Sequence, residues 1–221
     1  MMYPVNEIFE TIQGEGAQTG VPSVFVRLQG CPVGCAWCDT KHTWTVDKNH
    51  QVDADQIISI SNENPTWAEL TSKELVDRLA IYSAKHIVIT GGEPCMYDLR
   101  PLTNDLNKAG YSTQIETSGT FEIYCSDTTY VTVSPKVNMK GGYKVLTNAL
   151  NRADEIKHPV ATEQHIDDLK ALLAERTSQK AVNICLQPIS QKKRATDLAI
   201  NECIKNNWRL SVQMHKYLFI D

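Results

Sequence analysis

The chain has 221 residues, of which 22 are Lys or Arg and 26 are Asp or Glu, for a formal charge of -4. That balance argues against a broad electrostatic grip on nucleic acid, whose phosphates are held chiefly by Lys and Arg. Hydrophobic residues at 42% are ordinary globular usage, the N-terminus lacks the basic region and apolar run of a secretory signal, and no stretch approaches the roughly 20 continuous apolar residues of a membrane helix, so a cytoplasmic protein without a membrane or direct nucleic-acid partner is expected.

The length supports one good core and falls a little short of two, so one domain over 1–221 is expected. Short apolar, β-branched runs predict buried strands at 23–28, 86–90, 113–116, 130–133, 153–157, 182–186 and 210–213. Helical spacing predicts helices at 72–84, 99–109, 166–175 and 195–206. In the second of these, Leu99, Leu102, Leu106 and Ala109 recur at intervals of three and four and so share a face that should pack on a sheet. The stretch 46–71 is polar and poorly periodic, with Asn62, Glu63, Asn64 and Pro65 in series, and reads as an irregular insertion with no assigned function. Strands alternating with helices predict an α/β fold with a mostly parallel sheet and functional loops at its carboxyl edge. Six or seven strands are fewer than the eight of a complete barrel, so a truncated, partly open barrel is expected.

Seven cysteines are present, and three of them, Cys31, Cys35 and Cys38, crowd into CPVGCAWC directly after the first predicted strand. In a reducing compartment such crowding reads as metal ligation, with Gly30 and Gly34 letting the backbone turn the thiolates together. Three sulfurs are one short of the four that a cubane cluster or a structural zinc takes, and two readings follow. His42, four residues after Cys38, closes a structural Cys-Cys-Cys-His zinc site. Alternatively, one iron of a 4Fe-4S cluster stays open to bind S-adenosylmethionine and pass an electron to its sulfonium, producing a 5′-deoxyadenosyl radical.

The spacing C-x3-C-x2-C, with Trp37 before the last cysteine, is similar to that of the radical S-adenosylmethionine superfamily. An independent feature points the same way: VITGGEP at 88–94 ends a predicted strand in two glycines and an acid and resembles the superfamily's second signature, where strand-end backbone meets the methionine amino group. Gly92 permits close approach of the main chain there, and Glu93 offers an acceptor for charged hydrogen bonds.

Further motifs appear in order: FETIQGEG at 9–16, FVRLQGC at 25–31, WCDT at 37–40, IETSGT at 115–120, VSPK at 133–136, LQPIS at 186–190 and HKY at 215–217. With these the chain resembles the 7-carboxy-7-deazaguanine synthase family, in its proteobacterial form, over essentially its whole length. The resemblance implies a homodimer whose protomer is a partly open, TIM-like (β/α) barrel of the radical SAM type with about six core parallel strands. It implies a lyase of queuosine biosynthesis that converts 6-carboxy-5,6,7,8-tetrahydropterin to 7-carboxy-7-deazaguanine with loss of ammonia. S-adenosylmethionine would act catalytically, beside a 4Fe-4S cluster on Cys31, Cys35 and Cys38 and a Mg2+ ion at Thr40. By the same resemblance, Ile12, Gln13, Gly14 and Thr90 touch the pterin, Glu15 meets its aminopyrimidine edge and Arg27 its carboxylate. Arg27 also has the planar fork that suits a carboxylate, against the alternative of a solvent-facing strand residue. The S-adenosylmethionine positions implied are Trp37, Cys38, Asp39, Gly92, Glu93, Ser134, Pro135, Lys136, Gln187, Pro188, Ile189 and Ser190, and His215, Lys216 and Asp221 would approach the substrate from the far end. A low-potential reductant such as flavodoxin or ferredoxin is the expected protein partner. An activating enzyme for glycyl radicals and a non-catalytic zinc module are the competing readings; the first leaves the 7–16 segment and Arg27 without a small ligand, the second leaves the Gly-Gly-Glu turn without a purpose.

Overall fold

The computed structural model describes residues 1–57 and 64–218. Its strands are β1 (Met2–Ile12), β2 (Pro22–Leu28), β3 (Ala68–Thr71), β4 (His86–Gly91), β5 (Ser112–Thr117), β6 (Tyr130–Val133), β7 (Glu155–Val160), β8 (Asn183–Pro188) and β9 (Arg209–Leu210). The helices are α1 (Ser72–Leu79), α2 (Arg100–Lys108), α3 (Thr147–Arg152), α4 (Glu163–Ala174), α5 (Lys193–Asn206) and the short α6 (His215–Leu218). All strands join one sheet in the order β3-β1-β2-β4-β5-β6-β7-β8-β9. The run from β2 to β9 is parallel, whereas β1 pairs antiparallel with both β2 and β3. The sheet is therefore open and mixed at one side, with six full parallel strands and the two-residue β9 beyond them.

Parallel neighbours need crossovers; α1, α2, α3, α4 and α5 lie in five of them, and residues 118–129 join β5 to β6 without a helix. The entry to α1 is fixed locally: Glu74 N–H donates to Thr71 Oγ1 at 3.2 Å while Glu74 Oε2 accepts from Thr71 N–H at 2.8 Å, a capping box that satisfies two otherwise orphaned donors. Leu75 and Leu79, one turn apart, then fall on the buried side. The apolar interior has two parts, one under β1, β2, β4, α1 and α2 and one under β6, β7, β8, α4 and α5, with Ile123 and Cys125 packed against both.

Several sequence expectations are corrected. In α2, Leu99, Leu102 and Leu106 are buried as expected, but Ala109 is exposed because it caps the helix, past the last turn that touches the sheet. Residues 68–71, placed in the irregular insertion, form β3 on β1, with Ala68 and Leu70 buried; four residues are too few for an alternation to stand out. Upstream of it Trp67 is buried and its Nε1–H donates to Asp47 O at 2.9 Å. The 210–213 strand shrinks to β9, whose two residues are both exposed at the sheet edge. β1 was not foreseen, since Asn6, Glu7 and Glu10 interrupt its apolar residues and a bulge between Val5 and Glu7 breaks the period of two.

Because β2, β4, β5, β6, β7 and β8 run the same way, the residues after each share one carboxyl edge. The cysteine loop, Gly92, Ser118, Ser134 and Ser190 all follow there. The antiparallel β1 runs oppositely, so the residues after Ile12 enter from the amino edge.

Candidate active site

The two edges meet around one cavity of about 460 Å³. Cys31, Cys35 and Cys38 line it, as do Ile12, Gln13, Gly14, Glu15, Arg27, Trp37, Asp39, Thr40, Thr90, Gly92, Glu93, Ser134, Lys136, Gln187, Pro188, Ile189, Ser190 and Lys216. Pro135, buried between two lining residues, does not face it. His215 opens α6, and Asp221 lies outside the described residues.

The cysteine loop is clamped to the end of β4 by backbone alone. Gly92 N–H donates to Leu28 O and Glu93 N–H to Gly30 O, both at 2.8 Å. A Cβ on Gly92 would stand 2.1 Å from Gly30 O and 2.9 Å from Cys31 Cβ, so only glycine lets the strand end come this close. Burial pushes the Cys31 thiol up to about 11 and raises Cys35 too, the latter opposed by the Lys136 ammonium. Thiols so desolvated stay protonated near neutrality unless bound cations replace the protons, as ligation does. Trp44 Nε1–H donates to Cys38 Sγ at 3.4 Å, and Thr40 Oγ1 lies 3.6 Å from the same sulfur. Among the described residues no three Cys, His, Asp or Glu side chains converge on a single-ion position. His42 is absent from the lining, and its carbonyl accepts from Gln29 Nε2 at 2.9 Å. The donor set is thus three thiols around a shared space, which fits a cluster with an open iron better than a closed four-ligand zinc.

Glu93 is 1% exposed and is used inside the protein. Its Oε1 accepts from Cys95 N–H at 2.9 Å and Thr117 Oγ1–H at 2.6 Å, and its Oε2 accepts from Ser118 N–H at 2.7 Å and from the Ser118 hydroxyl. A carboxylate has about four acceptor positions, and these four donors fill them. The side chain ties the end of β4 to the end of β5, where sequence reasoning had it facing a ligand.

The floor is a buried polar network. Lys157, on the inner face of β7, bridges Glu15 Oε2 at 2.6 Å and Glu116 Oε2 at 2.7 Å. Burial alone would lower the Lys157 pKa, but the two carboxylates together raise it. Burial raises the Glu116 pKa, with Lys157 opposing. Glu15 Oε1 also accepts from Gln213 Nε2 at 3.0 Å and Gln187 Nε2 at 3.3 Å, and Gln13 Nε2 donates to Glu116 Oε1 at 3.3 Å. Lys136, whose pKa burial lowers, donates from Nζ to Ser134 Oγ at 2.6 Å. Glu116, Lys157 and Gln213 had not been singled out. The available signal was a lysine or glutamate inside a run read as a buried strand, where an unpaired charge is too costly to stand alone.

Arg27 does not face solvent. Its Nε–H donates to Glu7 Oε1 at 2.5 Å, and its guanidinium carbon lies 5.8 Å from the centre of the Phe9 ring, which stacks on Phe25 at 5.2 Å. The pairing with Glu7 leaves the terminal nitrogens as the donors for an anion.

Residues 25–127 match the family model described as the radical SAM superfamily. The chain is 56% identical over 222 residues to the 7-carboxy-7-deazaguanine synthase of Escherichia coli (strain K12), with 100% of both chains covered. It is 49% identical to that of Buchnera aphidicola, again over 100% of both, and 36% identical to that of Aquifex aeolicus over 96% of this chain and 91% of the other. A solved structure described as the crystal structure of QueE from Escherichia coli superposes with a TM-score of 0.94, covering 96% of this chain and 94% of its own at 56% identity. With such identity across its full length, the chain belongs to the 7-carboxy-7-deazaguanine synthase family of the radical S-adenosylmethionine superfamily.

Proposed function

We propose that this chain converts 6-carboxy-5,6,7,8-tetrahydropterin to 7-carboxy-7-deazaguanine with loss of ammonia, in the route to queuosine and other 7-deazapurines. The observation that carries the reading is the meeting of three cysteine thiols, a bare glycine strand end and a Glu15-Lys157-Glu116 floor in one cavity. When bound, a 4Fe-4S cluster on Cys31, Cys35 and Cys38 together with S-adenosylmethionine supplies a carbon radical that removes a hydrogen atom from the substrate. The chain's own residues bind and orient. The terminal nitrogens of Arg27 pair with the substrate carboxylate, and Glu15, neutralised from behind by Lys157, accepts from the aminopyrimidine donors. Ile12, Gln13, Gly14 and Thr90 close around the rings. Trp37, Asp39, Gly92, Ser134, Lys136 and the 187–190 strand end hold the S-adenosylmethionine side. Thr40 would offer Mg2+ a hydroxyl oxygen, the kind of hard donor that ion takes. His215 and Lys216 approach from the C-terminal segment.

A homodimer served by a low-potential flavodoxin or ferredoxin completes the proposal. The test is anaerobic incubation of the reconstituted protein with the carboxytetrahydropterin, S-adenosylmethionine, Mg2+ and a reductant. Accumulation of the deazaguanine, read by mass and ultraviolet absorbance, is expected. Steady formation of 5′-deoxyadenosine with no deazaguanine would overturn the substrate assignment.

A further inference from the structure

The backbone of the 14–17 loop, which enters from the amino edge, is tied to distant parts of the chain at three points. Met214 N–H donates to Gly14 O at 3.0 Å, Gly16 N–H donates to Ser211 Oγ at 2.8 Å, and Ala17 N–H donates to Glu155 Oε2 at 2.7 Å. The third contact is the unusual one. Glu155 is 1% exposed and begins β7, two residues before Lys157, so the two side chains share the inner face with Glu155 lying nearer the amino edge. It does not line the cavity. Tyr130 OH donates to its Oε2 at 3.3 Å, whereas Oε1 is buried with no hydrogen-bond partner. That oxygen stands 2.1 Å from where a Cβ on Gly16 would lie.

A carboxyl group in this place costs free energy that an apolar side chain of similar size would not. Simple packing therefore does not account for it. What it does supply is position in two directions: a short hydrogen bond draws Ala17 down, and the oxygen beside Gly16 stops the loop from sinking further. Glu15 immediately precedes these two residues, and its own carboxylate is held by Lys157 at 2.6 Å. β7 thus fixes the side chain of Glu15 through Lys157 and the backbone after it through Glu155.

We propose that Glu155 is a positioning residue, setting through Gly16 and Ala17 the height at which Glu15 meets the substrate; this deepens the function proposed above and rests on it. The holoenzyme is compared with Glu155→Leu, Glu155→Gln and Gly16→Ala. In Glu155→Leu the KM and Kd for the carboxytetrahydropterin rise about tenfold, the effect of losing one charge-assisted hydrogen bond, while iron content and S-adenosylmethionine affinity stay at wild-type values. Glu155→Gln, which keeps a carbonyl for Ala17 N–H, recovers most of the loss. Gly16→Ala, which sets a methyl against Glu155 Oε1 at a backbone φ of +67°, raises the same two constants and likewise spares S-adenosylmethionine. An unchanged KM in Glu155→Leu, an equal loss of S-adenosylmethionine affinity, or a Glu155→Gln variant no better than Glu155→Leu would each overturn the proposal. Should the wild-type protein fail to turn over this pterin at all, the substrate reading fails instead. The positioning claim is then decided by hydrogen exchange at the Ala17 amide: faster exchange in Glu155→Leu supports it, and an unchanged rate sinks it.

Discussion

His158 stands on the helix side of β7, between Ile156 and Val160, which belong to the apolar interior with Ile166 and Leu169 of α4. It is buried, and neither ring nitrogen makes a full hydrogen bond. Burial lowers its pKa from 6.5 to about 4; the backbone near His165 and the Asp168 carboxylate oppose this, and Lys136 and the His165 ring add to it. The folded state therefore prefers the neutral ring, whereas the unfolded chain takes up a proton as pH falls below 6.5. Stability from this group is complete above pH 6.5 and is lost as pH falls from 6.5 toward 4. At 1.36 kcal/mol per unit the whole shift corresponds to about 3 kcal/mol, of which about 2 kcal/mol is gone by pH 5. His158→Leu replaces an unpartnered ring by an apolar side chain among apolar neighbours, so near-neutral or slightly raised stability is expected at pH 7.5. The advantage of the variant should grow by about 2 kcal/mol at pH 5. Denaturant unfolding of both holoproteins at the two pH values, under anaerobic conditions, measures this difference, and acid-sensitive groups common to both cancel. Parallel acid dependence of the two proteins, or a folded-state His158 resonance titrating near 6.5, would refute the reasoning.

Cys31→Ala, Cys35→Ala and Cys38→Ala are each expected to strip iron and abolish turnover, while Cys125→Ala, on the scattered set and packed against the core, retains both by iron analysis and assay. Lys157→Met leaves two carboxylates in the floor without their shared cation; a loss of about 3–5 kcal/mol in unfolding free energy and of substrate binding is expected, as when one partner of a buried ion pair is removed. Glu93→Gln turns an NH2 group toward donors that need an acceptor, so a loss of about 1–3 kcal/mol in unfolding free energy and weaker S-adenosylmethionine binding by equilibrium dialysis are expected. Wild-type S-adenosylmethionine affinity in that variant would show that the tie between β4 and β5 does not shape the site.

The sequence carried the parallel sheet well because Val24, Val26, Ile87 and Ile89 sit in runs that must be buried on both faces, and such runs read plainly. The cysteine loop was equally legible, since its chemistry and spacing are contained in eight consecutive residues. Long-range polar pairing was not. Nothing near Lys157 in the chain announces Glu15 or Glu116, and nothing near Arg27 announces Glu7; these partners exist only once strands distant in sequence lie side by side. Glu93 shows the converse difficulty. A carboxylate after two glycines at a strand end looks available to a ligand, and only the approach of Thr117 and Ser118 reveals that its acceptor positions are filled.

The reversal of β1 explains how so small an α/β protein encloses a substrate. If every loop entered from the carboxyl edge, as the sequence pattern suggested, the cavity would lack a base, because the open sheet closes no ring beneath it. Running β1 antiparallel brings Gln13, Gly14 and Glu15 in from below, and the buried charges there require the local balance that Lys157 and Lys136 supply against Glu15 and Glu116. Two lysines against two glutamates leave the floor near neutral, which makes its burial tolerable and lets the pocket accept a substrate carboxylate at Arg27 without a repelling field underneath. On the proposed function, the division of labour follows from strand direction: the parallel strands present thiols and bare backbone to the cofactor side, and the one reversed strand presents the floor that recognises the rings.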